Sequence, residues 1–322
     1  MPDAHKLICT ILVVRYRFLR ITDKRMCEPM INADKENDWL ISYMRNVTSQ
    51  TGEDGIIEKI FEIIKENDKW CVEFGAWDGK KFSNTWTLIK NKGWFGVLLE
   101  GDSERYKQLL MTYKDNPKVT CINKFVEFEG LYCIDNILSK IPIPKYFDLL
   151  CIDVDGNDYH IWDSMALYQP KVVVIEFNPS IPNDIDFIQP KNMNINQGSS
   201  LLSIFNLGRE KGYELVATTI VNAIFVDRQY FGLFGINDNS LSILHKGHEY
   251  HTRLYQLFDG TLVLEGCNRL IWHGIEIGQE SIQVLPRFLR FYPCTTSKMK
   301  YRSRVLEVLV KFHKYIHKYI YK

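Results

Sequence analysis

The chain has 322 residues, 46% of them hydrophobic and 25% charged, the balance of an ordinary globular protein with enough length for a large core. Forty Lys and Arg against 39 Asp and Glu leave no global field, so strong nucleic-acid binding is not implied. No stretch approaches the ~20 apolar residues of a membrane helix, and the run Leu7 to Val14 is short, closed by Arg15-Tyr16-Arg17 and lacking a small-residue cleavage site. The eight cysteines contain no C-x-x-C pair; Cys71, Cys121 and Cys151 sit in apolar strand-like runs. That reads as free thiols in a reducing cytoplasm rather than a zinc site or disulfide framework.

Residues 1–48 show no repeat or clear period and are taken as an N-terminal extension. From Ser49 the pattern sharpens. Thr51 and Asp54 have capping-box spacing ahead of Ile56, Ile57, Ile60, Phe61 and Ile64, whose spacing predicts one helical face. The first strand, Trp70 to Gly75, runs into Val72-Glu73-Phe74-Gly75-Ala76-Trp77-Asp78-Gly79 and then a helix-compatible segment from Lys80 to Lys90. A strand, a tight turn and a helix in this order cradle a nucleotide in open parallel sheets. This turn is E-x-G-x-x-x-G, one glycine fewer than a dinucleotide fingerprint. Gly75 and Gly79 are expected to let backbone approach a ligand, with Glu73 facing it and Trp77 either stacking on it or packing beneath the turn. A carboxylate at this place suits a cationic adenosyl ligand better than a pyrophosphate.

The alternation continues regularly. Phe95 to Leu99 is a strand ending in Glu100, placed to accept the hydroxyls of a ribose; Asp102 reads as the N-cap of a helix from Ser103 to Tyr113. Val119 to Asn123 is the third strand, with a helix near Leu131 to Leu138 after it. Phe147 to Asp153 is apolar throughout, as a central parallel strand should be. It opens into Asp153-Val154-Asp155-Gly156-Asn157-Asp158, where Asp153 and Asp155 are expected to leave on opposite sides, one toward cofactor and one toward substrate, and Asp158 to cap the next helix, Asn157 to Leu167. Val172 to Phe177 is the fifth strand; Glu176 and Asn178 leave it toward the same mouth, Asn178 as a substrate contact. The irregular stretch 178–198 is long enough to be a functional loop. Then come a helix from Ser199 to Lys211, capped by serine or open to an anion, and strands Tyr213 to Thr219 and Asn222 to Asp227. Two residues between them permit only an antiparallel hairpin. His160, one turn into a helix, reads as structural.

Five β–α units, a helix and a closing hairpin predict an α/β fold: a mostly parallel, Rossmann-like seven-stranded sheet whose last strand inserts antiparallel. Residues 49–229 would form this domain and 230–322 a C-terminal extension or cap. The segments Ser49-Gln50…Gly52-Glu53-Asp54-Gly55, Val72 to Gly79, Leu99-Glu100-Gly101-Asp102 and Ile152-Asp153-Val154-Asp155-Gly156 resemble the FkbM-type methyltransferases dependent on S-adenosylmethionine. The resemblance covers about Ser49 to Asp227. It implies a class I methyltransferase fold, with S-adenosylmethionine as cofactor and methylation of a hydroxyl on a sugar, polyketide or other small molecule. The cofactor residues would be Glu73, Gly75, Trp77, Asp78, Gly79, Glu100 and Asp153. The catalytic candidates are Asp153, Asp155 and Glu176, acting as bases without a metal or, as the less favoured alternative, holding a divalent cation. This chain departs from the commoner family form, which carries Glu in place of Asp155. A non-catalytic binding or scaffold protein of the same fold is the main rival reading, and a nicotinamide-dependent oxidoreductase the third. The tail from Ser297 to Lys322 carries eight Lys or Arg and one acid, with apolar residues at helical spacing. It fits a membrane surface or an acidic partner, or packing on its own domain, which is the more frequent case.

Overall fold

A computed structural model describes residues 37–247 and 249–292, with four isolated positions at 304, 307, 308 and 311. The run Leu7 to Val14 and nearly all of the basic tail lie outside the described residues. Among the described residues, no helix is long and apolar enough to cross a membrane.

Seven strands form one sheet: β1 Trp70–Phe74, β2 Phe95–Leu99, β3 Val119–Ile122, β4 Leu149–Ile152, β5 Val172–Glu176, β6 Tyr213–Thr218 and β7 Asn222–Asp227. Their order is β3-β2-β1-β4-β5-β7-β6. The first five are parallel to one another, and β7 lies between β5 and β6, antiparallel to both. This is the class I methyltransferase arrangement expected from the sequence. The order in which strands are added reverses between β1 and β4, because β2 and β3 build outward on one side and β4 and β5 on the other. In an open sheet, loops part at that switch point and leave a crevice at the strands' carboxyl ends.

The helices cover both faces. They are α1 Glu53–Ile64, α2 Trp86–Lys92, α3 Ser103–Tyr113, α4 Ile134–Leu138, α5 Asp158–Ser164 and α6 Leu201–Glu210. Strand periodicity divides the core. Val72 and Phe74 of β1, with Leu150 and Ile152 of β4 and Val173 and Ile175 of β5, pack with Trp162 of α5 and Ile204 of α6. Cys71, Leu149, Cys151, Val172 and Val174 face the other way, onto Ile56, Ile57, Ile60 and Phe61 of α1. The five described cysteines outside the masked segments are free thiols.

Several boundaries differ from the sequence reading for local reasons. α2 begins at Trp86, not Lys80, because Glu73 binds residues 83–85 in a non-helical loop. Thr51 and Asp54 form no capping box: the N-cap is Gly52, with φ +107, and Asp54 accepts from the amides of Val47, Thr48 and Ser49. Asp102 does cap α3, accepting from Glu104 and Arg105, and Ser200 caps α6 through Ser203. Beyond β7 the chain forms two short helices, α7 Arg228–Phe231 and α8 Leu241–Leu244. Two small hairpins follow, β8 Thr252–Gln256 with β9 Leu262–Gly266 and β10 Arg269–Leu270 with β11 Ile275–Glu276. Phe234, Leu241 and Leu244 insert into the cores, so the start of this extension packs on the sheet domain.

Candidate active site

The carboxyl ends of β1, β2, β4 and β5 open into one cavity of about 570 Å³, inside the range of small-molecule sites. Its wall includes Glu73, Gly75, Trp77, Glu100, Asp102, Asp153, Asp155 and Glu176, brought together from residues 103 positions apart in sequence.

Glu100, buried at the end of β2, accepts from the amides of Trp77 at 2.9 Å and Asp102 at 2.7 Å. A carboxylate offers about four lone pairs, so two remain for the two hydroxyls of a ribose. Asn123 donates to the carbonyls of Glu100 and Gly101, which fixes the β2 end against the segment after β3.

Glu73 plays a different part from the one expected. Its oxygens accept from Ser83 Oγ at 2.7 Å, Asn84 N at 2.7 Å and Thr85 Oγ1 at 2.6 Å. It therefore holds the loop that carries Phe82, Ser83 and Asn84 into the cavity wall. Burial raises its pKa, against the lowering effect of these hydrogen bonds. Gly75, with φ +68, lines the cavity and also lets the segment after β4 pass close by: a Cβ there would stand 1.9 Å from the carbonyl oxygen of Asp153. Asp78 and Gly79 are not among the residues lining the cavity. Asp78 accepts from the amides of Lys80 and Lys81, and Gly79 (φ +75) leaves room for Tyr113. Trp77 does line it, in a left-handed conformation (φ +48), with Lys81 4.3 Å and Arg105 4.2 Å from its ring. Its π-faces are thus already supplied with cations from this chain.

The second group is Asp153, Asp155 and Glu176, whose carboxylate oxygens lie within 4.8 Å of one another. The expectation that Asp153 and Asp155 diverge is corrected: residues two apart in extended chain share a face, and β4 ends at Ile152, so Asp155 sits in the following turn with φ +57. Asp158 does not cap α5. It accepts from the amides of Val154 and Gly156 and so braces this turn from below. Burial, then repulsion from Asp158, Asp155 and Glu73, pushes Asp153 up to about 8. Burial, then repulsion from Asp153, Asp158 and Asp155, pushes Glu176 well above the usual carboxylate range, and burial raises Asp158 to about 6. Asp153 and Glu176, two such acids side by side, favour holding a proton between them. Oxygen-only ligands this close also make a set that a hard divalent cation could use.

Asn178 is committed to its own loop: Oδ1 accepts from Ser180 N and Oγ, and Nδ2 donates to the carbonyl of Gln197. It lines a smaller cavity of about 220 Å³ beyond Asp155 and Glu176. His160 is buried and bonded to the carbonyl of Gln189, a structural role. Gln189 in turn ties Asn157 to the amides of Gln197 and Gly198, so the long loop 178–198 is braced against the acidic turn. The sequence reading missed Phe82, Ser83 and Asn84, assigned to a helix, and also Met193, Asn196 and Trp272. An alternation of Ser, Asn and Thr at 83–85 after a glycine turn, too polar for a helix start facing a core, was the signal for the first three.

No family model and no curated protein matches this chain. Among solved structures it is similar to the N-terminal domain of EvdMO1 with S-adenosylhomocysteine bound, at 12% identity and a TM-score of 0.36 over 56% of this chain and 82% of that one. It is also similar to the CMeT domain of the citrinin polyketide synthase, at 11% identity and 0.37, over 54% of this chain and 51% of that one. A third is an S-adenosylmethionine-dependent methyltransferase from Aquifex aeolicus, at 13% identity and 0.32, over 53% and 89%. Likenesses at this level concern the fold alone.

Proposed function

We propose that this protein is an S-adenosylmethionine-dependent methyltransferase acting on a hydroxyl of a small molecule or glycan. The observation that carries the reading is the placement of Glu100. A buried carboxylate at the end of β2, held by two backbone amides with lone pairs to spare, stands across one cavity from three carboxylates that, among the described residues, have no ion-pair partner. That division suits a ligand with a ribose at one end and a positive charge at the other. The fit is chemical as well as spatial, since sulfonium and α-ammonium groups are stabilised by the acids at the β4 and β5 ends.

Bound here, S-adenosylmethionine supplies a methyl group on a sulfonium whose thioether leaves readily. This chain's residues then do the remaining work. Glu100, with Trp77 beside it, orients the nucleoside, and alignment of acceptor oxygen and methyl lowers the barrier by several kcal/mol. A member of the Asp153, Asp155 and Glu176 group takes the acceptor's proton as the C–O bond forms. A second reading rests on those same three carboxylates: a Mg²⁺ ion among them would lower the acceptor's pKa instead. Chelation with EDTA separates the two, since turnover survives it only in the metal-free case.

Calorimetric titration with S-adenosylmethionine and S-adenosylhomocysteine tests the cofactor. Micromolar binding is expected in the wild type. Glu100→Ala should weaken it at least about tenfold, the cost of losing hydrogen bonds to a charged acceptor. No binding to wild-type protein whose circular dichroism is intact would overturn the reading in favour of a scaffold.

A further inference from the structure

Between the long loop 178–198 and the β10–β11 turn lies the smaller cavity of about 220 Å³. It shares Asp155, Glu176, Asn196 and Trp272 with the larger one, so the two meet at the acidic group. Trp272, from the C-terminal extension, is 65% exposed. Among the described residues no ring or cation is paired with its indole, and the side-chain amides of Asn196 and Gln197 have no internal hydrogen bond. An aromatic ring open at a cavity mouth, with unpaired amides beside it, offers a stacking face with a polar edge.

We infer that this smaller cavity is the acceptor subsite and that it takes an uncharged, polyhydroxylated ring, with Trp272 as its platform. The inference rests on the methyltransferase reading for its chemistry but not for the binding itself. A pyranoside presents an apolar C–H face, which stacks on an indole, and a rim of hydroxyls, which need donors and acceptors at the edges. Asn196 and Gln197 supply both. No Lys or Arg lines the smaller cavity, which disfavours an anionic acceptor. Of its acids, Asp158 is committed to two backbone amides. Asp155 and Glu176 stand where the two cavities meet and can each receive a hydroxyl of such a ring. The C-terminal extension thereby acquires a role: it closes the acceptor side of a cavity whose cofactor side is built by residues 70–176.

Saturation-transfer NMR on the full chain tests this with methyl glucoside, methyl mannoside and methyl rhamnoside as probes. Glucose 6-phosphate and choline serve as the anionic and cationic alternatives. At least one neutral glycoside should receive saturation in the wild type. Trp272→Ala should weaken that binding about tenfold, as loss of an aromatic platform does, and Trp272→Phe should restore most of it. Circular dichroism and thermal unfolding of the same variants should match wild type, which shows that the sheet domain is intact. The inference is overturned if no neutral glycoside binds, if only choline or glucose 6-phosphate binds, or if Trp272→Ala binds the glycoside as well as wild type. Loss of S-adenosylhomocysteine binding in the wild type would instead sink the methyltransferase reading and leave a sugar-binding subsite standing on the Trp272 result.

Discussion

At the N-terminal end of β4, Asp148 is fully buried and answered from every side. The amides of Asn67, Asp68 and Lys69 donate to it at 2.8–3.1 Å, and Lys171 Nζ stands 3.5 Å away. Lys171 is itself satisfied by the carbonyl of Lys65 and Oδ1 of Asn67. Five residues further on, past the other end of the same strand, Asp153 meets Asp155 and Glu176, and among the described residues no basic side chain is ion-paired with them. One end of the strand has spent its charge on closing the fold. The other holds charge in reserve, at a cost in stability, where a ligand can use it.

Breaking the compensated end should have the largest effect. Asp148→Ala strands the Lys171 ammonium and three amide donors, and removing one partner of a buried pair costs about 3–5 kcal/mol. Urea denaturation should show a lower midpoint with the slope unchanged. A loss below about 1 kcal/mol, the range of exposed pairs, would mean that water already reaches this end and that the contrast between the ends is false.

Glu73 lies between the two cases, a carboxylate of the cavity that is nonetheless spent on structure. Glu73→Ala removes the acceptor of two hydroxyls and one amide. Leaving buried donors unsatisfied should cost about 1–3 kcal/mol, and S-adenosylhomocysteine affinity should fall because Phe82, Ser83 and Asn84 lose their anchor. Glu73→Gln should recover most of both, since its carbonyl still accepts and the hydroxyls can rotate. If Glu73→Ala lowered affinity with stability untouched, Glu73 would be a direct ligand contact, as the sequence suggested.

These differences mark what could be read from the chain alone. The sheet was legible because its signals are local and redundant: apolar runs at β2, β4 and β5, polar turns between them, and a two-residue gap that only a hairpin can bridge. That Glu100, Asp153 and Glu176 open at one edge was legible too, since parallel strands deliver their carboxyl ends there; that Asp155 turns to join Asp153 was not, because it depends on the turn after β4. What each side chain does there was not. Whether Glu73 meets a ligand or a loop depends on the path of residues 80–85, set by hydrogen bonds across ten residues. Asp78 and Asp158 look like ligand or cap residues, and both turn back onto nearby amides. Trp272 lies 96 residues beyond Glu176 in a segment with no periodic pattern, so only the folded chain places it at the cavity.

The uncompensated end yields the smallest change in stability, and its sign is opposite. Asp153 titrates near 8 in the folded protein and near 3.8 without its surroundings. Between those values the folded state holds a proton that the unfolded chain has released, so raising the pH from 4 to 8 lowers stability. Asparagine cannot ionise and escapes this penalty. Asp153→Asn should therefore be more stable than wild type at pH 8, on the order of 1 kcal/mol or about 2–4 °C in Tm, and the gap should close as the pH approaches 4. Scanning calorimetry across that range reads it directly. A variant less stable than wild type at pH 8 would show that Asp153 is paired after all, and that both ends of β4 are built for stability. A gain in stability accompanied by loss of methyl transfer would show the opposite: that the strain at this end is kept because the reaction uses it.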